Sequence, residues 1–384
     1  MAAKKPSGLE DVVVCESKIC YIDGQRGQLV YRGYDIDDLA DHSNFEEVAF
    51  LLWNGRLPSS DELAALRQEL GEAMKLPPGI YDLLRVLPKD SNPMRVLAIA
   101  TAALGAMDPQ AEDNSESANR HKAIHLAAQL PLITATWHHI SEGSETPPPD
   151  PSRGIAYNFL KMLCGKEPDE YATKTFDVAL ILHADHELNA STFSARVTAA
   201  TLSDLHSAVV SAINTLKGPL HGGANEQVMK MLESIGGPDK VQSYMENLLA
   251  NKQKVMGFGH RVYKAKDPRA KILEEMSEEL GKRMGDTQWF DMSHRVEEIF
   301  QPTVASKGVY PNVDFYSASA YHVMGIPRDL FTPIFACSRV VGWTAHLLEQ
   351  YANNRLFRPD SDYVGEKGLK WVPIEARVPG DTSS

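Results

Sequence analysis

Three short segments hold the side chains best suited to moving protons. They are Gly218-Pro-Leu-His-Gly-Gly-Ala-Asn225, Gly257-Phe-Gly-His-Arg261 and Pro311-Asn-Val-Asp-Phe-Tyr-Ser317. Each sets one such group, His221, His260 or Asp314, in a kink-prone context. Two imidazoles and a carboxylate suit proton abstraction next to a carbonyl. The carboxylate takes the proton, and the imidazoles donate to the oxygens where charge develops. His221 sits in a glycine turn at a helix start, where N–H groups favour negative charge. The two glycines before His260 let backbone approach a ligand closely. Asp314 lies among apolar and aromatic residues, which should raise its pKa. Taken singly, each also has a plainer reading: a turn histidine, a loop histidine and a helix N-cap.

Other groups could assist. In His183-Ala-Asp185-His186-Glu187 the two histidines are three apart and would share a helix face. No further ligand set accompanies them, so a hydrogen-bonding role at a buried site is expected, and no metal. Arg269, Arg339 and Arg358 offer guanidinium forks that fit carboxylates, or they are solvated surface groups. Residues 252–271 carry seven cations against Asp267 alone, a local excess of six positive charges, while the chain's formal net charge is −12. Either this run is a solvated helix face or it forms a local anion site around His260.

The elements that must position these groups read as helices. Residues 20–36 give the one convincing β signal, a small hairpin around an Asp-Gly turn. Asn44 and Glu47 form a capping box, and Gly55 stops that helix. Ser60 is expected to open the next, with Leu63, Leu66 and Leu70 as its apolar stripe and Pro77-Pro78 as its end. Further helices are expected at 120–140, 153–164 and through most of 176–217, with loops at 107–119 and 141–151. Asn225 should cap a helix at 226–235. Asp267-Pro268 should open one at 268–284, and Thr332-Pro333 a long one reaching about Asn353. The fold class is all-α.

The 384 residues are 43% hydrophobic, ample for a large core of two to three domains by length. The acidic balance argues against nucleic acid as a partner. The four cysteines form no metal spacing and fit a reduced compartment. The first residues lack a signal-peptide core, and no apolar run reaches the ~18 residues a membrane span needs. A cytoplasmic protein is expected.

These motifs, in this order, resemble the citrate synthase family along nearly the whole chain. The likeness runs from Gly8-Leu-Glu, Tyr21-Ile-Asp-Gly and Tyr31-Arg-Gly-Tyr to Arg358-Pro-Asp-Ser-Asp-Tyr-Val-Gly365. It includes Leu182-His-Ala-Asp-His-Glu187, Asp267-Pro-Arg269 and the three opening segments. The resemblance implies a two-domain helical fold. A large domain would take 1–220 and 320–384, and a small acyl-CoA-binding domain 221–319 would close over the site. It implies condensation of acetyl-CoA with oxaloacetate and water to citrate and CoA, with no cofactor. Asp314 would be the base, His221 the enol stabiliser and His260 the group polarising the ketone. His186, Arg269 and Arg339 would bind oxaloacetate, joined by Arg358 from the partner of a homodimer. Val255, Met256, Gly257, Phe258, Gly259, Arg261 and Lys264 would meet CoA.

Two features bear on variation within that family. The chain starts near the Gly-Leu-Glu motif, so the resemblance implies a dimer without NADH regulation. Leu188-Asn-Ala-Ser-Thr-Phe193 resembles a stretch shared with 2-methylcitrate synthases, which leaves propionyl-CoA, or dual use, as an alternative. One methylene is worth only about 1–3 kcal/mol in a pocket. A non-catalytic helical protein with His183 and His186 as metal ligands is the remote alternative.

Overall fold

The structure is a computed structural model describing residues 8, 9 and 12–377. Residues 1–7, 10–11 and 378–384 lie outside it, and with them the chain start, Glu10 of the Gly-Leu-Glu motif and the outermost ends of the segments expected to form a large domain. Sixteen α-helices, four short 3₁₀ helices and one small sheet make up the regular structure among the described residues, so the all-α class holds.

The expected hairpin is β1 (Cys20–Asp23) and β2 (Gln28–Tyr31), antiparallel with Cys20 opposite Tyr31 and Asp23 opposite Gln28. A third short strand, β3 (Tyr34–Asp35), extends it. Arg32 and Gly33, both at positive φ (50° and 95°), make the second tight turn.

Helices α1 (Ile36–His42) and α2 (Phe45–Asn54) follow. The Asn44–Glu47 capping box and the left-handed Gly55 stand as expected. Helix α3 (Ser60–Ala73) is capped by Ser59, one residue before the expected opening, because the Ser59 hydroxyl accepts from Glu62 N. Pro77-Pro78 opens α4 (Pro78–Val86) rather than closing α3. Then come α5 (Pro93–Met107), α6 (Glu116–Glu142) and α7 (Ile155–Cys164), followed by α8 (Glu170–His183), α9 (Ala190–Ala199) and α10 (Leu205–Leu216). Next are α11 (Ala224–Ile235), α12 (Val241–Ala250), α13 (Pro268–Met284), α14 (Gln288–Val304), α15 (Val313–Val323) and α16 (Phe331–Ala352).

Two expected caps are displaced. Gly223, not Asn225, precedes α11; Asn225 lies buried inside the first turn, its side-chain Oδ1 accepting from Glu226 N (2.9 Å). Thr332 and Pro333 lie inside α16, after Leu330 at its cap position. Thr332 instead donates its hydroxyl to Glu226 across to α11 (2.6 Å). Asp267 and Pro268 do open α13 as expected.

The core centres on α6 packed against α16, with the fully buried Trp137 and Trp343 among its largest side chains. Helix α16 also meets α2, α8, α9 and α10, while α13 packs on α15. This arrangement brings the C-terminal end of α8 and the N-terminal ends of α9, α13 and α15 to the middle of α16. Among the described residues no helix is long and apolar enough to cross a membrane.

Candidate active site

His221 sits in the loop between α10 and α11. Gly222 N donates to Leu216 O (2.9 Å), and a Cβ at Gly222 would lie 2.3 Å from that oxygen, so this return of the chain needs glycine. The turn sets His221 at the N-terminus of α9. There Ser191 N–H points at His221 Nε2 (3.3 Å) while also reaching its cap, Asn189 Oδ1 (3.1 Å). A nitrogen that accepts a backbone N–H carries no proton, so the neutral imidazole bears its hydrogen on Nδ1. Ser191 Oγ lies 2.8 Å from the same Nε2 and accepts from Trp343 Nε1 (3.1 Å). Burial, then the Arg339 charge, pushes the His221 pKa down to about 4. At neutral pH His221 is an uncharged Nδ1–H donor.

His260 is the mirror case. Its Nδ1 accepts from Val262 N (3.0 Å) and Tyr263 N (3.1 Å), so Nε2 carries the hydrogen. Burial, then Arg269, lowers its pKa to about 4 as well. The loop is made by left-handed Gly257 and Gly259. It is zipped to the start of α15: Gly259 N donates to Tyr310 O (2.8 Å), and Asn312 N donates to Gly257 O (2.9 Å). Asn312 Nδ2 also donates to Gly259 O (3.0 Å). One short bridge thus fixes the His260 loop to the helix carrying Asp314.

Asp314 is not the cap of α15; Asn312 is, accepting from Asp314 N (3.1 Å). This leaves the half-buried Asp314 carboxylate for other work. Its pKa rises to about 6, chiefly by loss of solvent, with Arg269 pulling the other way.

His186 is buried against the rings of His260 (5.1 Å) and Tyr263 (5.6 Å), and its Nε2 has no protein partner. Burial and then Arg269 hold its pKa well down. His183 closes α8, so the premise that it shares a helix face with His186 fails: the helix ends between them. His183 Nδ1 donates to Ala179 O (2.7 Å), and its buried Nε2 also lacks a partner. Among the described residues no group of three histidine, cysteine or acidic side chains converges for a metal.

Arg269 and Arg339 are both buried. Asp267 engages one edge of the Arg269 fork, at 3.0 Å from Nε and 2.8 Å from Nη2. Arg339 donates Nε–H to His183 O (2.6 Å) and lies over the Phe335 ring. Arg358 is not brought into the site of its own chain; it is exposed and pairs with Asp360 (2.9 Å). Of the residues expected at CoA, Val255 and Phe258 are buried, Phe258 between Phe300 and Phe315, so they offer backbone only. Gly257 is buried, Met256 and Gly259 are half-buried, and Arg261 and Lys264 are exposed. Within the basic run, Lys266 is committed to Glu274 (2.7 Å) and Glu297 (3.2 Å).

Sequence reasoning missed Ser191, Trp343 and Tyr263. Asn189-Ala-Ser191 carries a cap signal that would have placed Ser191 at a helix start. Trp343, more than 100 residues away in sequence, carries none.

The arrangement holds one carboxylate of raised pKa, two neutral imidazole donors of opposite tautomer, and two buried guanidinium groups. Residues 8–360 match the family model described as citrate synthase, C-terminal domain. The chain is 50% identical over 382 residues to the citrate synthase of Haloferax volcanii, covering 98% of this chain and 100% of that one. It is 42% identical over 372 residues to the 2-methylcitrate synthase of Shewanella oneidensis, covering 97% and 98%. The crystal structure of citrate synthase from Pyrobaculum aerophilum superposes with a TM-score of 0.90 at 44% identity, covering 96% of this chain and 95% of that one. A ternary complex of the Thermoplasma acidophilum citrate synthase with carboxymethyl coenzyme A and oxaloacetate also gives 0.90, at 34% identity and covering 96% and 98%. Likeness of sequence over the full length, joined to likeness of fold, means that the chain belongs to the citrate synthase family.

Proposed function

We propose that this chain condenses acetyl-CoA with oxaloacetate and water, giving citrate and CoA. The observation that carries the reading is that Asp314, whose pKa is lifted to about 6, shares the neighbourhood of Arg269 and Arg339 with neutral N–H donors at His221 Nδ1 and His260 Nε2. Asp314 removes a proton from the methyl carbon of the thioester. His221 donates to the thioester oxygen, so the intermediate is an enol and not a bare carbanion. His260 donates to the ketone oxygen of oxaloacetate, and the enol carbon attacks the ketone carbon. Water then cleaves the citryl thioester and releases the CoA thiol. A base contributes roughly 10²–10⁴-fold and one aligned donor roughly 10²–10³-fold, so no single group suffices.

Arg269, Arg339 and His186 bind the oxaloacetate carboxylates in this reading. Their positive charge and unpaired Nε2 suit a small dianion. Arg358 joins them from the partner subunit of a homodimer, which fits its exposure on the extended segment after α16. CoA lies along 255–259, with Arg261 and Lys264 toward its phosphates. Residues 1–220 and 320–384 form the large domain, and 221–319 the small one that closes and excludes water. No cofactor beyond the substrates takes part, and the enzyme works in the cytoplasm.

The test measures CoA thiol release with oxaloacetate plus acetyl-CoA. Turnover in that mixture, and none without oxaloacetate, is expected; silence would sink the reading. Propionyl-CoA in the same assay tests the second reading, which the Shewanella oneidensis relative favours. A kcat/KM higher for propionyl-CoA than for acetyl-CoA would make the chain a 2-methylcitrate synthase.

A further inference from the structure

The turn between β1 and β2 presses on the loop that carries His260. Gly24 lies so close to Val262 that a Cβ there would sit 2.3 Å from the Val262 carbonyl oxygen. At Gly27, with φ +66°, a Cβ would sit 2.7 Å from Lys266 O. Lys264 N donates to Gly24 O (2.8 Å). The turn is itself braced, since Asp23 Oδ1 accepts from Gln25 N and Arg26 N, both at 3.0 Å. Backbone therefore meets backbone at three points along 262–266.

One peptide unit links this contact to the imidazole. Its carbonyl is that of Val262, which faces Gly24; its N–H is that of Tyr263, which donates to His260 Nδ1. A peptide is planar, so rotating one end rotates the other. Any swing of the Val262 carbonyl away from the turn must turn the Tyr263 N–H off His260. The ring would then lose one of the two bonds that fix its tautomer and aim, keeping only that from Val262 N.

The geometry points to the β1–β2 turn as the positioning element for His260, with Gly24 and Gly27 as its positioning residues. The turn holds the Val262–Tyr263 peptide so that Nδ1 stays an acceptor and Nε2–H stays directed outward. The inference rests on the role proposed for His260. It adds that residues before 221 complete the geometry of a group inside 221–319.

The test uses full-length protein with ¹⁵N-labelled histidine, the His260 signal being identified by its loss in His260→Gln. Wild type should show His260 as a single tautomer protonated on Nε2. Gly24→Ala should give a mixture of tautomers and a kcat for oxaloacetate-dependent thiol release lower by 10- to 100-fold, the scale of a 1 Å misplacement. Gly33→Ala is the control. Gly33 belongs to the same sheet and has φ +95°, but a Cβ there meets nothing within 4 Å. It should strain the hairpin yet leave the tautomer single and kcat within about twofold. If Gly24→Ala does not fold, Gly27→Ala gives the same readout through Lys266. A single Nε2–H tautomer in both glycine variants, or an equal disturbance in Gly33→Ala, overturns the inference. Should wild type release no thiol, the proposed reaction fails, while the tautomer readout still judges the turn.

Discussion

In its proposed role as base Asp314 would act only when ionised, and its raised pKa sets where that happens. With a value of about 6, kcat/KM should fall about tenfold per pH unit below pH 6. Both imidazoles, at about 4, stay neutral through that range. A pH profile whose acid limb had its midpoint near 4 would show that the pKa of the Asp314 carboxyl is not raised. The same shift has a cost in stability. The folded state holds this proton more tightly than the unfolded chain, whose aspartate titrates near 3.8. Ionisation therefore destabilises the fold, by an amount that develops as pH rises from about 4 to about 6 and is absent below. Asp314→Asn should accordingly be more stable than wild type at pH 7.5, on the order of 1–3 kcal/mol, and equal to it near pH 3.5. Denaturant titrations at the two pH values check this, and its kcat should be near background. At His221, Ser191→Ala keeps the backbone N–H and hence the tautomer. It strands Trp343 Nε1 in the core, an expected loss of about 1–3 kcal/mol read by thermal melting.

At the scale of elements, the short bridge between Phe258 and Pro311 ties the His260 loop to the start of α15. Gly257 permits it, being at φ 78° with a would-be Cβ 2.7 Å from both Phe315 and Val228. Gly257→Ala should cost about 1–3 kcal/mol by overpacking alone and should lower kcat, because it moves His260 relative to Asp314. Unchanged melting and turnover would show that the bridge does not hold the pair. Much of this level was legible beforehand, and unevenly. The Asn44–Glu47 box and Asp267-Pro268 were read correctly because a cap is a local hydrogen bond between near neighbours. Asn225 and Thr332 were misplaced because tertiary partners took them: Asn225 was drawn into the core, and Thr332 was drawn to Glu226 on another helix. The unusual backbone around His221, His260 and Asp314 was legible in their glycine, proline and aromatic neighbours. Ser191 and Trp343 act through contacts that only the packing of α9 on α16 creates. The basic run was legible as charge, but Lys266 and Arg269 spend theirs on Glu274, Glu297 and Asp267.

For the whole molecule, the exposed segment after α16 carries Tyr363, Val364, Leu369 and Trp371 as well as Arg358. A second copy that covers these apolar groups would also receive the guanidinium. Arg358→Ala should weaken oxaloacetate binding. Mixed with Asp314→Ala, it should regain part of the lost turnover in heterodimers, where one site holds both intact groups. Confirmed heterodimers without any recovery would show that the sites are not shared. The buried Nε2 of His186 lies beside Arg269 and Arg339 without a protein partner, so the interior is left with unmatched positive charge. A small dicarboxylate would supply what that interior lacks, and so it should behave as a missing piece of the core as much as a reactant. At a hundred times its Kd, oxaloacetate would add about 2.7 kcal/mol to unfolding. The protein should then melt measurably later in its presence, even in the Asp314→Asn variant that cannot turn it over.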